Sequence, residues 1–210
     1  MSFYVEQTSN FELCPAGMHL ARCYRIIDLG TQRSDWKGQV KYARKIMIGW
    51  EVHARDDNGK PVLTRKGELF GAFKNYTLSW AEKSNLRLDL QSWRGKAFNQ
   101  QETQRFDLKV LIGAWCMLNM IHKPNASGSV YSNVDGVSPV PAIYKQQGLP
   151  EAVNKNQIFT LQEPDLEVFE TFSDNLKTKI MSSPEWEKLN KKSEPQADMA
   201  DDDQDDDIPF

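Results

Sequence analysis

The side chains that most often carry catalytic or metal chemistry are few and scattered in this sequence. The histidines and cysteines lie far apart, at His19, His53, His122, Cys14, Cys23 and Cys116. No C-x-x-C, H-x-x-x-H or G-x-x-x-x-G-K spacing occurs. Glu51 and His53 share one face of a predicted strand, but no second carboxylate clusters with them as metal-assisted hydrolysis would require. The sequence therefore predicts no enzyme, no metal site and no cofactor.

Charged side chains are distributed unevenly along the chain, and that distribution indicates binding rather than catalysis. Residues 1–123 contain 19 Lys and Arg against 12 Asp and Glu, whereas residues 190–210 contain 2 against 8. A basic body suits a polyanion, and an acidic end suits a different, basic partner. The alternative interpretation is ordinary surface charge with a solubilising tail.

The elements that would position these side chains follow the order strand, strand, strand, helix, strand, strand. Val40–Ala54 alternates apolar and polar residues as a half-buried strand does. Ser84 and Gly95 are N-cap and C-cap signals around a helix. The other predicted segments are strands at Gly17–Leu29, Leu69–Ser79, Ala114–Lys123 and Val130–Val137, a loop at Gly30–Gln39, and short helical turns at Gln100–Arg105 and Leu108–Ile112. This order predicts a mainly β fold, the OB-fold, which is a five-stranded barrel with a helix between strands 3 and 4.

The chain changes character after Pro139, and three domains or regions are expected. Residues 1–140 form the OB-fold domain, 141–189 a C-terminal helical extension, and 190–210 a disordered acidic tail. Apolar residues at helical spacing predict one helix from Pro164 through Ile180, and Ser183-Pro184 would begin another. These helices are expected to pack on the barrel or on a partner.

The acidic tail ends in Ile208, Pro209 and Phe210 after two runs of aspartate. Exposed apolar residues at a flexible end gain nothing for folding, so a hydrophobic pocket on a partner is their expected use. The sequence resembles the C-terminal tip of bacterial single-stranded-DNA-binding proteins, which ends Asp-Asp-Ile-Pro-Phe and docks on replication and repair proteins. This resemblance implies partner-binding residues Asp205, Asp206, Asp207, Ile208, Pro209 and Phe210.

The body resembles a different group, a family of phage-encoded proteins whose characterised relatives are OB-fold single-stranded-DNA-binding proteins. The resemblance lies in KSNLRLDLQSWRGKAF (Lys83–Phe98), FDLKVLIGAWCML (Phe106–Leu118) and SSPEWEKL (Ser182–Leu189). It implies sequence-nonspecific single-stranded DNA binding and protection in phage DNA replication, recombination and repair. The tetrameric state of the bacterial family does not carry over to this body.

Candidate DNA contacts lie where an OB-fold holds nucleic acid, on strands 2 and 3 and the two loops beside them. They are Arg33, Trp36, Lys37, Lys41, Arg44, Lys45, Arg65, Phe73, Lys74, Tyr76 and Lys123. Trp36 either stacks on a base or folds back on the barrel, and the basic stripe either binds phosphates or is a solvated face. Phe73 and Tyr76 have opposite parity, so only one is expected to face outward. Trp50, Trp93 and Trp115 are expected in the core.

Two other functions stay open at this point. One is a recombination mediator or strand-annealing protein; the other is an interaction protein whose tail titrates host partners. The chain lacks a signal peptide pattern and an apolar run of membrane-spanning length, which predicts a cytoplasmic protein without a membrane partner. A further expectation is that the acidic tail competes with DNA for the basic groove. The sequence leaves the oligomeric state undetermined.

Overall fold

The computed structural model describes residues 12–193, apart from the side chains of Trp36, Lys145, Lys192 and Ser193, and its centre is one sheet. The strands are β1 (Gly17–Trp36), β2 (Gln39–His53), β3 (Phe70–Thr77), β4 (Trp115–Pro124), β5 (Val130–Ser138) and β6 (Gln157–Phe159). The helices are α1 (Asn85–Arg94), α2 (Gln100–Gln104), α3 (Ala142–Gln147), α4 (Leu166–Glu170), α5 (Asp174–Met181) and α6 (Pro184–Ser193), with a 3₁₀ turn at Leu108–Leu111.

The fold is mainly β, and its sheet is open. Antiparallel pairing gives the strand order β3-β2-β1-β4-β5, and β6 adds to β1 in parallel. The outer strands β3 and β5 approach each other, but no ladder joins them in the described part of the chain. Two β-bulges in β1, at Cys23/Arg25 and Asp28/Gly30, bend this long strand. The bend lets β1 pair with β4 at its start and with β6 further along.

The first hydrophobic core lies between the sheet and α1. Alternate residues of β2, Ile46, Ile48, Trp50 and Val52, are all buried there, as the period-two pattern predicts. The Ser84 side chain caps α1 by accepting from the Arg87 N–H, and Gly95 ends the helix at φ 70°. The helix predicted between the third and fourth strands is therefore confirmed, with both of its caps.

The loop predicted at residues 30–39 is wrong, because β1 and β2 continue through it as a hairpin. Trp36 pairs with Gln39, and the ladder runs without interruption back to Gly30 and Lys45. Lys37 and Gly38 make the turn with φ 51° and 77°, the positive values that a two-residue type I′ turn requires. Apart from the turn at Lys37-Gly38, the residues that suggested a loop are therefore strand residues. We call this hairpin, residues 30–45, the β-ribbon arm.

A second hydrophobic core packs the C-terminal region onto the outer face of β1. It contains Ile27, Leu29, Phe159, Leu161, Phe169, Phe172, Ile180 and Trp186. The single helix predicted from Pro164 is two helices, α4 and α5, separated at residues 171–173. The disorder predicted from Asn190 is wrong for residues 190–193, because α6 continues to Ser193; the rest of the predicted tail lies outside the described residues. This packing joins the C-terminal extension to the sheet.

The cysteines and the helix lengths complete the description of the fold. Cys14, Cys23 and Cys116 are buried and make no disulfide. Between residues 12 and 193, no helix combines the length and the apolar composition that crossing a bilayer demands.

Gly30 of β1 packs so closely against Ser183, just before α6, that no side chain fits at Gly30. A Cβ built there would lie 2.5 Å from the Ser183 Cβ, and the backbone has φ +68°. We predict that Gly30→Ala lowers the unfolding free energy by the roughly 1–2 kcal/mol of a left-handed alanine plus roughly 1–3 kcal/mol of overpacking. Urea denaturation measures this loss. Gly59→Ala is the matched control, with φ +76° and no atom near its Cβ; equal losses in the two variants would contradict the proposed close packing.

Candidate nucleic-acid interface

Phe73 lies on the outer face of the sheet with one face of its ring open to solvent. It pairs with Gly49 of β2, and Gly71 lies two residues before it on β3. A Cβ on Gly49 would come within 2.8 Å of the Phe73 Cε1, and one on Gly71 within 3.0 Å of its Cε2. The ring therefore spans the backbone of both glycines, yet Phe73 remains 46% exposed. An aromatic ring supported from beneath and open above is a platform on which a base can stack.

Arg25 places a positive charge in the same cross-strand row as the Phe73 ring. Arg25 of β1 pairs with Gly49 on the side opposite Phe73. Its guanidinium carbon lies 6.0 Å from the centroid of the Phe73 ring and 5.9 Å from that of Phe172. The buried Arg25 Nε has no hydrogen-bond partner among the described residues. A phosphate next to a stacked base would therefore find a positive charge beside it.

Polar and basic side chains continue from Phe73 along the same face. Asn75 pairs with Met47, and Thr77 pairs with Lys45. Beside them is an open pocket of about 360 Å³, whose wall also contains Lys83 and Ser84 at the start of α1. The N-terminus of a helix carries partial positive charge, so this pocket favours anions.

Lys179 of α5 adds a further positive charge at the edge of this face. Burial lowers the pKa of its ammonium group, and the nearby charge of Lys45 lowers it further. Two like charges held near each other repel unless an anion lies between them. We call the set Arg25, Lys45, Phe73, Asn75, Thr77, Lys83 and Lys179 the Phe73 strip.

Residues 153–156 cover the part of the outer face that contains Arg22 and Glu51. The Glu51 carboxylate, fully buried, accepts from Arg22 Nε at 2.7 Å, from the Asn154 N–H at 2.6 Å and from the Val153 N–H at 3.2 Å. Arg22 also donates to the Asn156 side chain at 2.6 Å. Burial by itself raises the pKa of Glu51, but the hydrogen bonds from Arg22, Asn154 and Val153 outweigh it and lower that pKa to about 2.

The base of the β-ribbon arm is held by the C-terminal helices, and its tip is exposed. Thr31 donates to the Glu185 carboxylate from both N–H and Oγ1, and the Gln32 side chain donates to the Lys179 carbonyl. From residue 37 to residue 42 every side chain is exposed, with Tyr42 67% exposed. The arm therefore projects beyond the core as a basic ribbon.

The structure brings some of the predicted DNA contacts together and separates others. Lys41 and Lys45 share the outer face of β2 with the Phe73 strip, while Arg33 and Lys37 lie on the β-ribbon arm. Of the two aromatic candidates, Phe73 faces outward; Tyr76 is 2% exposed, and its hydroxyl donates to Asp89 at 2.7 Å. Tyr76 is thereby removed from the surface, because its ring belongs to the first core.

Four other predicted cations lie away from the strip or are engaged in ion pairs. Arg44 bonds Asp28 at 2.5 Å, and Lys74 bonds Asp89 at 2.7 Å. Arg65 is in the segment before β3, 3.6 Å from Glu12, and Lys123 at the end of β4 is 3.8 Å from Asp135. The side chain of Trp36 and the six tip residues 205–210 lie outside the described part of the chain.

Sequence reasoning missed five residues of the Phe73 strip, which are Arg25, Asn75, Thr77, Lys83 and Lys179. A β-bulge in β1 changes the side of the sheet on which Arg25 lies, and Lys179 is far in sequence from the other strip residues. Lys83 carried a signal, because it directly precedes the predicted N-cap Ser84, and so did Asn75 and Thr77, because they share the parity of Phe73 in the predicted third strand. Comparison with protein families finds no match to this chain, and comparison with curated proteins finds no significant one.

The buried carboxylate of Glu51 predicts a pH-dependent stability. Its folded pKa, about 2, lies below the ordinary value of 4.5, so between these values the unfolded chain binds more protons. Stability from Glu51 is therefore complete above pH about 4.5 and is lost as the pH falls toward 2. Glu51→Gln should cost roughly 3–5 kcal/mol near neutral pH, because it leaves Arg22 buried without its counter-charge.

Urea unfolding of both proteins at several pH values measures this effect. The difference between wild type and Glu51→Gln should be widest above pH 4.5 and should narrow toward pH 2. Glu163→Gln, at an exposed position, is the control and should leave the profile unchanged. If the difference in unfolding free energy between wild type and Glu51→Gln stayed constant with pH, the lowered pKa assigned to Glu51 would be ruled out.

Proposed function

We propose that this chain is a sequence-nonspecific single-stranded-DNA-binding protein that protects the strand in phage DNA replication, recombination and repair. The observation that carries the proposal is Phe73, an exposed ring resting on Gly49 and Gly71 within a row of cations. Stacking on an aromatic ring needs an unstacked base, which a single strand offers and a duplex does not. Stacking and phosphate contacts tolerate any base, so little sequence preference is expected.

We propose further that the fold is an OB-fold whose barrel is incompletely closed. The support is the strand order β3-β2-β1-β4-β5, with α1 between β3 and β4 and with β3 approaching β5. In an OB-fold, the face of strands 2 and 3 binds nucleic acid. The Phe73 strip is the open part of that same face here.

The acidic end is proposed to recruit replication and repair proteins. Asp205–Asp207 would steer toward a basic surface, and Ile208, Pro209 and Phe210 would fill an apolar pocket there. The residues proposed for this role are separate in sequence from those proposed to bind DNA, because the Phe73 strip lies wholly within residues 25–179.

Removing the aromatic platform should weaken DNA binding. We expect Phe73→Ala to cost about 1–3 kcal/mol, a rise of roughly 5- to 150-fold in the Kd for oligo-dT, because one stacked base is lost. Titration of a labelled oligonucleotide by fluorescence anisotropy measures the Kd. Ile143→Ala removes a side chain of similar exposure, 55%, from α3 and should leave the Kd unchanged. An unchanged Kd in Phe73→Ala would remove Phe73 from the site.

The salt dependence of binding tests the electrostatic half of the proposal. If about four phosphates are neutralised, log affinity should fall against log salt with a slope near -3, and each lost phosphate contact should reduce the slope by about 0.7. The double variant Lys45→Gln/Lys179→Gln should therefore have a slope near -1.5. Lys60→Gln/Lys109→Gln, at exposed positions outside this face, should keep the wild-type slope; equal slopes in all three proteins would exclude the strip as the phosphate path.

Two assays separate this function from its rivals. The absence of any gel shift on single-stranded DNA would leave only the tail-based interaction function, and equal shifts on single-stranded and duplex DNA would contradict the proposed preference for unpaired strands. Acceleration of complementary-strand pairing would instead indicate a strand-annealing protein.

A further inference from the structure

A second open site lies on another part of the molecule, beside α1 and the start of β4. It is an apolar cavity of about 480 Å³ that shares no residue with the Phe73 strip. Four of its twelve lining residues are aromatic, namely Trp93, Phe98, Phe106 and Trp115. Val110 and Leu149, also in the wall, are 64% and 40% exposed. An open cavity with exposed apolar walls is typical of a site that another apolar group covers.

The segments that form the cavity are positively charged. Residues 94–110 contain Arg94, Lys96, Arg105 and Lys109 against Glu102 and Asp107, and residues 139–150 contain Lys145 and no carboxylate. Arg94 lines the cavity, its guanidinium lies 4.3 Å from the centroid of Phe98, and its Nη2 donates to Glu102 at 2.6 Å. The buried Arg94 Nη1 has no hydrogen-bond partner among the described residues.

The chain itself contains a segment with the complementary chemistry. Residues 194–210 contain eight carboxylates and no cation, and their last three residues are Ile208, Pro209 and Phe210. An aromatic and a branched side chain match an apolar cavity with aromatic walls. The aspartates before them match the positive segments around it.

The segment is also long enough to reach the cavity from the end of α6. Fourteen residues lie between Ser193 and Ile208, and the fifteen Cα–Cα steps of that segment span up to about 50 Å when extended. Helix α6 begins against Gly30 and Thr31, and the cavity residue Trp115 pairs with Arg22. The nine steps of β1 from Arg22 to Thr31 rise about 30 Å, and α6 adds about 15 Å. The end of α6 therefore lies within about 45 Å of Trp115, inside the reach of the segment.

We propose that this cavity is the docking site for Ile208, Pro209 and Phe210 of the same chain, with Asp205–Asp207 along its basic border. The tether holds the segment at an effective concentration on the order of millimolar, so a weak individual affinity suffices. A docked segment is withheld from other proteins, so the cavity competes with any partner for it. The inference does not depend on DNA binding by the Phe73 strip.

Photocrosslinking in the full-length protein tests the proposal. Benzoylphenylalanine in place of Phe210 should crosslink within the monomer to peptides from residues 90–115 or 139–149, as mapped by mass spectrometry. The same residue in place of Ala200, before the aspartates, should not give these products. Crosslinks to the β-ribbon arm or the Phe73 strip, crosslinks found only in covalent dimers, or no specific crosslink would each overturn the proposal.

The same charge, introduced either at the edge of the cavity or outside it, gives a matched pair of variants. Val110→Asp should reduce the crosslink yield at least about fivefold, because it places a carboxylate where apolar and acidic groups must dock. Leu88→Asp makes the same change at a residue of α1, 49% exposed, outside the cavity wall, and should keep the yield. Thermal unfolding of each variant establishes that it is folded. A yield unaffected by Val110→Asp would overturn the assignment of the cavity.

Discussion

The buried ion pair between Arg22 and Glu51 determines which part of the outer face is accessible. Two charges withdrawn from water are tolerated only when their remaining hydrogen-bonding positions are filled. Here residues 153–156 fill them, so this segment must lie across β1 and β2. From there the chain enters β6 beside β1, and the helices that follow bury Ile27 and Leu29. The open face that remains is the side near β3, where Phe73 lies.

The same packing concentrates positive charge beside the platform. Lys179 comes from the C-terminal region and Lys45 from the sheet, and they are close enough for one charge to affect the other. Two other cations near this face are already held in ion pairs, since Arg44 is bound to Asp28 and Lys74 to Asp89. A negative net charge of -3 for the whole chain therefore coexists with a locally basic face, and proximity, not total charge, decides what the face attracts.

The sequence predicted what depends on neighbouring residues and missed what depends on distant ones. Helix α1 was predicted at its observed bounds because its caps, Ser84 and Gly95, act within one turn. The arm was mistaken for a loop because strand pairing with residues 39–45 satisfies its polar backbone, which composition does not reveal. Arg25 and Lys179 could not be associated with Phe73 from the sequence, because a bulge and the second core bring them to the strip.

The extended shape of β2 sets the length of strand that the proposed interface can hold. From Gln39 at the end of the β-ribbon arm to Gly49 beneath Phe73, β2 rises about 33 Å at roughly 3.3 Å per residue. Lys41 and Lys45 lie along this path on one face, since both have the parity of Gly49. Phosphates near these lysines and a base on Phe73 would therefore belong to one continuous stretch of several nucleotides, within the roughly 4–16 that OB-folds bind. In the proposed interface the arm would thus contribute length and charge, while the sheet beneath Phe73 would fix the position of the stacked base.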